Sequence, residues 1–235
     1  MTFQVFSHHK CATIFLTRLL EGIAAQNGLK YAMTHRGDLA VPVICARGDI
    51  VQFTNAHGRL QASPAARGLH IVRNPFSIVV SAYFSHLKTH PTASWPALER
   101  QRLQLQKLPK SEGIWATIAF LSLPDFYPAT PGPLAGLRSW LFEDDRFTTL
   151  RMEDLVANPE AVIGPHLAAA GLSLPDMNRY RFEQFSGGRT LGKTDDQHHF
   201  RSGDPNDYKL HLSEAQQNYI RSMLPTLFER YYPDE

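Results

Sequence analysis

Lys10 and Thr13 stand three positions apart in Ser7-His8-His9-Lys10-Cys11-Ala12-Thr13-Ile14-Phe15. An ammonium and a hydroxyl at that spacing close around phosphate oxygens when the backbone between them turns its N–H groups toward the same point. The flanking residues supply such a turn. Phe3 to Phe6 form a short run suited to a buried strand, and Thr13 to Asn27 place Phe15, Leu19 and Ile23 on one helical stripe with Leu16 and Leu20 beside it. A loop passing from strand to helix at Lys10 aims the first-turn N–H groups and the positive end of the helix dipole at an anion. The pattern is not the nucleoside triphosphatase signature. G-x-x-x-x-G-K-[ST] requires glycines before the lysine, and the first glycine of this chain is Gly22.

A second cation and hydroxyl follow the same design. Gly68 to Val72 reads as a strand, Asn74 as a helix N-cap and Pro75 as the first helical residue, with an apolar run to Phe84 behind them. Arg73 then lies at the carboxyl end of a strand, the ligand edge of a parallel sheet, and Ser81 sits two turns along the helix. The two together offer a guanidinium fork and a hydroxyl to one phosphate group. Taken singly, Arg73 reads equally as one half of a surface ion pair, and Ser81 as a helix hydroxyl bonded to its own backbone.

Four blocks occur in order: Lys10-Cys11-Ala12-Thr13; Val72-Arg73-Asn74-Pro75 with Ser81; Leu150-Arg151-Met152-Glu153-Asp154-Leu155 with Asn158-Pro159; and Phe200-Arg201-Ser202-Gly203-Asp204 with Tyr208-Lys209. Together they resemble the sulfotransferases, over Phe3 to about Phe228. The resemblance implies an α/β chain of three-layer, P-loop-like fold, a mostly parallel central sheet with helices on both faces, and a single domain over residues 1–235. It implies an enzyme that moves the sulfuryl group of 3′-phosphoadenosine 5′-phosphosulfate (PAPS) to a hydroxyl or amine of a small-molecule, carbohydrate or lipid acceptor and releases 3′-phosphoadenosine 5′-phosphate (PAP). By the family's pattern Lys10 meets the 5′-phosphate and the leaving oxygen, and Cys11, Ala12, Thr13 and Ile14 give backbone N–H groups. Phe15 stands at an adenine-stacking position, and Arg73, Ser81 and the Arg201-Ser202-Gly203 turn face the 3′-phosphate.

In-line transfer also needs a base on the attacking side. His57 is the candidate. It follows the strand-like run Ile50 to Ala56 and precedes Arg73 by sixteen residues, the order in which soluble sulfotransferases place their catalytic histidine. His8, His9 and His35 are rivals. The chain departs from the family at Ala12, where glycine is usual, at Phe15 for tryptophan, at Met152 for tyrosine, at Asn55 for lysine and at Ser202 for lysine. Two other readings remain: a nucleotide kinase with an atypical phosphate loop, and a catalytically silent protein of the PAPS-binding fold, which the departures at Ala12, Met152 and Ser202 permit.

Composition agrees with an anion-binding enzyme. Residues 1–90 carry nine Lys or Arg against three Asp or Glu, and residues 91–235 carry fifteen against nineteen, so positive charge gathers in the half that holds both phosphate motifs. A net charge of +2 with no basic run argues against a general nucleic-acid binder. No leader and no membrane-length apolar run precede the first strand, so a cytoplasmic protein is expected. Cys11 and Cys45 make no disulfide framework, and the histidine spacings suggest no metal site.

Strands are predicted at Lys30 to Thr34, Ile50 to Thr54, Gly68 to Val72 and Phe147 to Arg151. Helices are predicted at Pro75 to His90, Trp95 to Leu108, Glu112 to Leu123, Pro133 to Glu143 and Pro159 to Ala170. A capping box at Ser213 to Gln216 opens a final helix through Leu227. Residues 186–211 read as a long, lid-like loop. Residues from about Thr89 to Pro133, with Trp95, Trp115, Phe120, Phe126 and Tyr127, form part of an acceptor pocket or of the core. The sequence leaves oligomeric state open.

Overall fold

The runs marked as strands pair side by side, and every pairing is parallel. The computed structural model describes residues 2–190, 192, 193, 195 and 201–235. Its elements are, in chain order, β1 (Phe3–Ser7), α1 (Thr13–Gln26), β2 (Tyr31–Thr34), α2 (Val41–Cys45), β3 (Ile50–Phe53), α3 (Gly58–Gln61), β4 (Gly68–Val72), α4 (Pro75–Phe84), α5 (Pro96–Leu105), α6 (Lys110–Leu121), α7 (Pro133–Arg138), β5 (Phe147–Arg151), α8 (Met152–Ala157), α9 (Pro159–Ala169), α10 (Phe182–Ser186), α11 (Glu214–Met223) and α12 (Pro225–Tyr231). The sheet order is β2-β3-β1-β4-β5. This is an α/β fold with a five-stranded parallel sheet flanked by helices, as the sequence implies.

The chain forms two compact units. One comprises Met1–Arg73 with Ser139–Arg181, the other Asn74–Arg138 with Phe182–Glu235. The first holds all five strands. Strand alternation splits its interior in two. Phe6, Val51, Phe53 and Phe147 turn toward α2, α3 and Trp140; Phe6 and Phe53, partners in register, stack at 4.5 Å, and Phe147 meets Phe6 edge-on. Each such buried ring is worth about 1.5–3 kcal/mol. On the other face, Gln52 receives hydrogen bonds from Thr17 of α1 at 3.0 Å and from Tyr31 at 2.5 Å, beside the buried α1 stripe Leu16, Leu19, Leu20 and Ile23. β4 starts at Gly68 with φ +133°, where a Cβ would lie 2.2 Å from the Gln4 carbonyl oxygen, so only glycine admits the close approach to β1.

β1 has β3 on one side and β4 on the other. The chain runs from β1 to β2 and β3 on one side and then crosses to β4 and β5 on the other, and the crevice beyond the carboxyl ends at that reversal is where a ligand belongs in a sheet of this kind.

The second unit is helical. α4 is buried along most of its length and starts as expected, with Pro75 in its first turn and Asn74 Oδ1 accepting from the Phe76 N–H at 2.9 Å. The capping box at α11 is present, Ser213 and Gln216 bonding reciprocally. Trp95, Phe120 and Phe126 are core, with Trp95 Nε1 donating to the Phe126 carbonyl at 2.9 Å; Trp115 is 37% exposed.

Several expectations on elements change. The final helix is two helices, because Pro225 forces Leu224 out of helical geometry, to φ −133° and ψ 46°. The helix from Pro133 stops at Arg138. α4 gives way after Phe84 to a π-helical turn, Ser85–Thr89. The short helices α2, α3 and α8 were not expected. Of the lid-like segment, residues 191, 194 and 196–200 lie outside the described residues, as do Phe200, His198 and His199. Among the described residues no helix is long and apolar enough to cross a membrane.

Candidate active site

The loop after β1 is built on two left-handed residues. Lys10 has φ +67° and Ala12 φ +50°, and the Cys11 N–H closes a turn onto the His8 carbonyl at 3.0 Å. Left-handed residues alternating with ordinary ones turn successive N–H groups inward and make an anion-binding concavity. A non-glycine residue there costs about 1–3 kcal/mol, a strain that collects at ligand sites. Ala12 is also the N-cap of α1 and has no side-chain oxygen to satisfy the first-turn N–H groups. Thr13 and the 37% exposed Ile14 begin the helix, while Phe15 is 5% exposed.

Lys10 is itself buried. Loss of hydration, reinforced by the nearby Arg73 charge, lowers its pKa to about 7. Arg73 leaves the carboxyl end of β4 and donates from Nη1 to the Lys10 carbonyl at 2.7 Å, fixing the strained loop from the neighbouring strand; its Nε is buried without a hydrogen-bond partner. Two cations and a set of inward N–H groups thus converge, and the Glu153 carboxylate also acts on Cys11 within the same loop. Cys11 is fully buried, which pushes its thiol up to about 12, so it packs and does not act as a nucleophile.

His57 follows β3, the other neighbour of β1. The Ala56 N–H donates to the Ser7 carbonyl at 2.8 Å and ties the two strand ends together. His57 is 1% exposed and neither ring nitrogen has a hydrogen-bond partner. Burial, with the Arg59 charge, lowers its pKa to about 4, and the Gly37 carbonyl, close but outside hydrogen-bond geometry, opposes this in part. At neutral pH it is a neutral imidazole with a free lone pair. Of the rivals, His35 Nδ1 is hydrogen-bonded with Thr54 Oγ1 at 2.7 Å.

His8 has a different place. Its Nε2 lies 2.8 Å from His70 Nε2, both residues fully buried. His70 stacks on Trp140 at 3.9 Å and pairs through Nδ1 with Thr149. Burial lowers both pKa values, His8 to about 3, so this is a neutral pair with one shared proton. Sequence reading missed it. The available signal was a histidine at position 70, inside an apolar strand and in register with Phe6, two residues before His8.

The remaining expected residues belong to the helical unit. Ser81 is half-buried on α4. Arg201 lies over the Phe84 ring, one turn further along, with its centre 4.4 Å from the centroid, and it forms an ion pair with Asp207. Arg189 Nη1 and the Asp195 backbone N–H donate to the Arg201 carbonyl, and the Gly192 N–H donates to that of Ser202. Gly203 has φ +72°, so the turn needs its glycine. Among the described residues no group of three His, Cys, Asp or Glu side chains is placed to hold a metal ion.

No family model matches the chain, and no curated protein matches it. Solved structures do. Mouse sulfotransferase SULT7A1 complexed with PAP aligns with a TM-score of 0.59 at 13% identity, over 98% of this chain and 84% of that one. Retinol dehydratase in complex with androsterone and the inactive cofactor PAP aligns with a TM-score of 0.59 at 13% identity, over 100% of this chain and 83% of that one. At such identity the likeness establishes the fold that these sulfotransferase structures share with this chain.

Proposed function

We propose that the protein is a PAPS-dependent sulfotransferase. The observation that carries this reading is the joining of two opposite chemistries at the carboxyl ends of β1 and β3: a cationic, N–H-rich loop at Lys10 and a neutral, unpartnered imidazole at His57, linked through the bond between Ala56 and Ser7. The first suits a leaving phosphate and the second an attacking hydroxyl. The buried, unpartnered Arg73 Nε and the uncapped start of α1 fit an anionic ligand.

When bound, PAPS supplies the sulfuryl group: its bond from sulfur to the 5′-phosphate oxygen breaks as the bond from sulfur to the acceptor oxygen forms. The N–H groups of residues 11–14 and the Lys10 ammonium hold the 5′-phosphate, and the Lys10 charge meets the negative charge that grows on the leaving oxygen. Arg73 holds the loop in its strained form. His57 takes the acceptor proton at a ring nitrogen. Ser81, Arg201, Ser202 and Gly203 are proposed, by the family pattern, to bind the 3′-phosphate, which distinguishes this donor from ATP. The protein would then act as one domain.

Sulfuryl transfer from labelled PAPS to a panel of phenols and sugars tests the reading. Transfer by the wild type that His57→Gln reduces about 10²- to 10⁴-fold, with PAP affinity retained, supports it. Phosphoryl transfer from Mg·ATP, or nucleotide binding without transfer to any acceptor, counts against it.

A further inference from the structure

His57 follows β3, His8 follows β1, His70 lies in β4 and Thr149 in β5, so four neighbouring strands of the sheet bring one polar side chain each to a row that crosses it. Two links of the row are hydrogen bonds. His8 Nε2 meets His70 Nε2 at 2.8 Å, and His70 Nδ1 meets Thr149 Oγ1 at 3.2 Å. The third link reaches the candidate base. The Ala56 N–H donates to the Ser7 carbonyl at 2.8 Å, which carries the next residue of each chain, His57 and His8, to the same place, and a charge on His57 acts on His8. There His8 Nδ1 and both His57 ring nitrogens are buried and, among the described residues, have no hydrogen-bond partner. Buried polar atoms of this kind pair with one another, directly or through a bridging water. His8 and His70 are 0% exposed, whereas Thr149 is half-buried and ends the row at the surface. Trp140, stacked on His70 at 3.9 Å, covers the row from the side. A proton held on one buried imidazole is costly; a row of neutral imidazoles can pass it on.

We propose that His8, His70 and Thr149 form a proton path from His57 to the surface, used when an acceptor hydroxyl gives up its proton. The inference rests on the sulfotransferase reading. One His57 nitrogen takes the acceptor proton and the other passes its own to His8 Nδ1. The proton on His8 Nε2 crosses to His70 Nε2, that on His70 Nδ1 crosses to Thr149 Oγ1, and the Thr149 hydroxyl proton goes to water. Each ring gains one proton and loses one. The acceptor oxygen gains the sulfur that the 5′-phosphate oxygen loses, and nothing is oxidised or reduced. Once product has left, His57 gives its proton to water and the shifts run backwards. The three residues act through His57 and touch neither donor nor acceptor.

Phenol and 4-nitrophenol separate this path from a structural role. At a pH where 4-nitrophenol is ionised and phenol is not, only phenol brings a proton to His57. His70→Phe and Thr149→Val should each slow transfer from PAPS to phenol about tenfold more than transfer to 4-nitrophenol, whereas structural damage slows both alike. Valine keeps the shape of Thr149 on β5, so that variant tests the path even where His70→Phe is too unstable. Nitrogen-15 NMR of histidine-labelled, PAP-loaded protein reads the row without turnover. The His57 ring-nitrogen signals should shift in both variants, because tautomers along a connected row move together. Equal slowing of the two acceptors, or His57 signals that ignore both variants, overturns the proposal; with transfer by the wild type intact, either result leaves the sulfotransferase standing. His57 signals that follow the variants, with no transfer from PAPS to these or any other acceptor in the panel, would uphold the connected row and remove the enzyme.

Discussion

Lys10 carries the sharpest consequences at the scale of single residues. With its pKa lowered to about 7, it is partly neutral at physiological pH, and a bound dianion would draw a proton onto it. PAP binding near pH 7.5, measured calorimetrically in buffers of different ionisation enthalpy, should show proton uptake. Lys10→Met should lose the uptake and about tenfold to hundredfold in affinity. The same residue shapes catalysis. His57 is a competent base above its pKa of about 4, and free Lys10 loses its charge above about 7. Thus kcat/KM for PAPS should form a bell with limbs near those values, whereas the upper limb of kcat should move to higher pH, because bound donor holds the Lys10 proton. A flat profile through pH 9 would contradict this role. Ala12, at φ +50°, should accept glycine: Ala12→Gly should keep PAP affinity and raise unfolding free energy by up to about 2 kcal/mol, the relieved strain less the added entropy of the unfolded chain.

At the scale of elements, the His8–His70 pair joins β1 to β4 beneath Trp140. His70→Phe would keep the ring stacking but leave His8 Nε2 buried without a partner, and should cost about 1–3 kcal/mol in urea unfolding at pH 7.5. The double variant His8→Phe with His70→Phe should recover part of that. The pair also sets an acid limit. Unfolded, these histidines bind protons below about 6.5, while folded His8 resists until about 3; the unfolded state therefore holds more protons in that window. Stability should fall as pH drops from 6.5 toward 3, and fall less in the double variant. The centre of this sheet was legible because β1, β3 and β4 are short runs buried along nearly all their length and α1 shows an unbroken stripe. The short helices α2, α3 and α8 were not, since one turn carries no periodicity to read. The break at Leu224 was written in Pro225, but the apolar stripe running across it masks the stop.

For the whole molecule, the order of motifs was legible and their chemistry was not fully so. Lys10, Arg73 and His57 could be placed at strand ends from local pattern, since a lysine before a helix start and an arginine before Asn-Pro mark those ends. What the pattern could not tell is that Arg73 bonds the Lys10 carbonyl and that His57 is buried without a partner, because both depend on β1 lying between β3 and β4. The His8–His70 pair escaped for the same reason, its members being sixty-two positions apart. The proposed function requires a site for a nucleotide carrying phosphates at both the 3′ and 5′ positions. Calorimetric titration with PAP, beside 5′-AMP and Mg·ATP, on wild type and Arg73→Ala, tests it most directly. PAP alone should bind tightly, and Arg73→Ala should weaken it strongly; preference for Mg·ATP, or no binding of any of the three, would contradict a site of this kind.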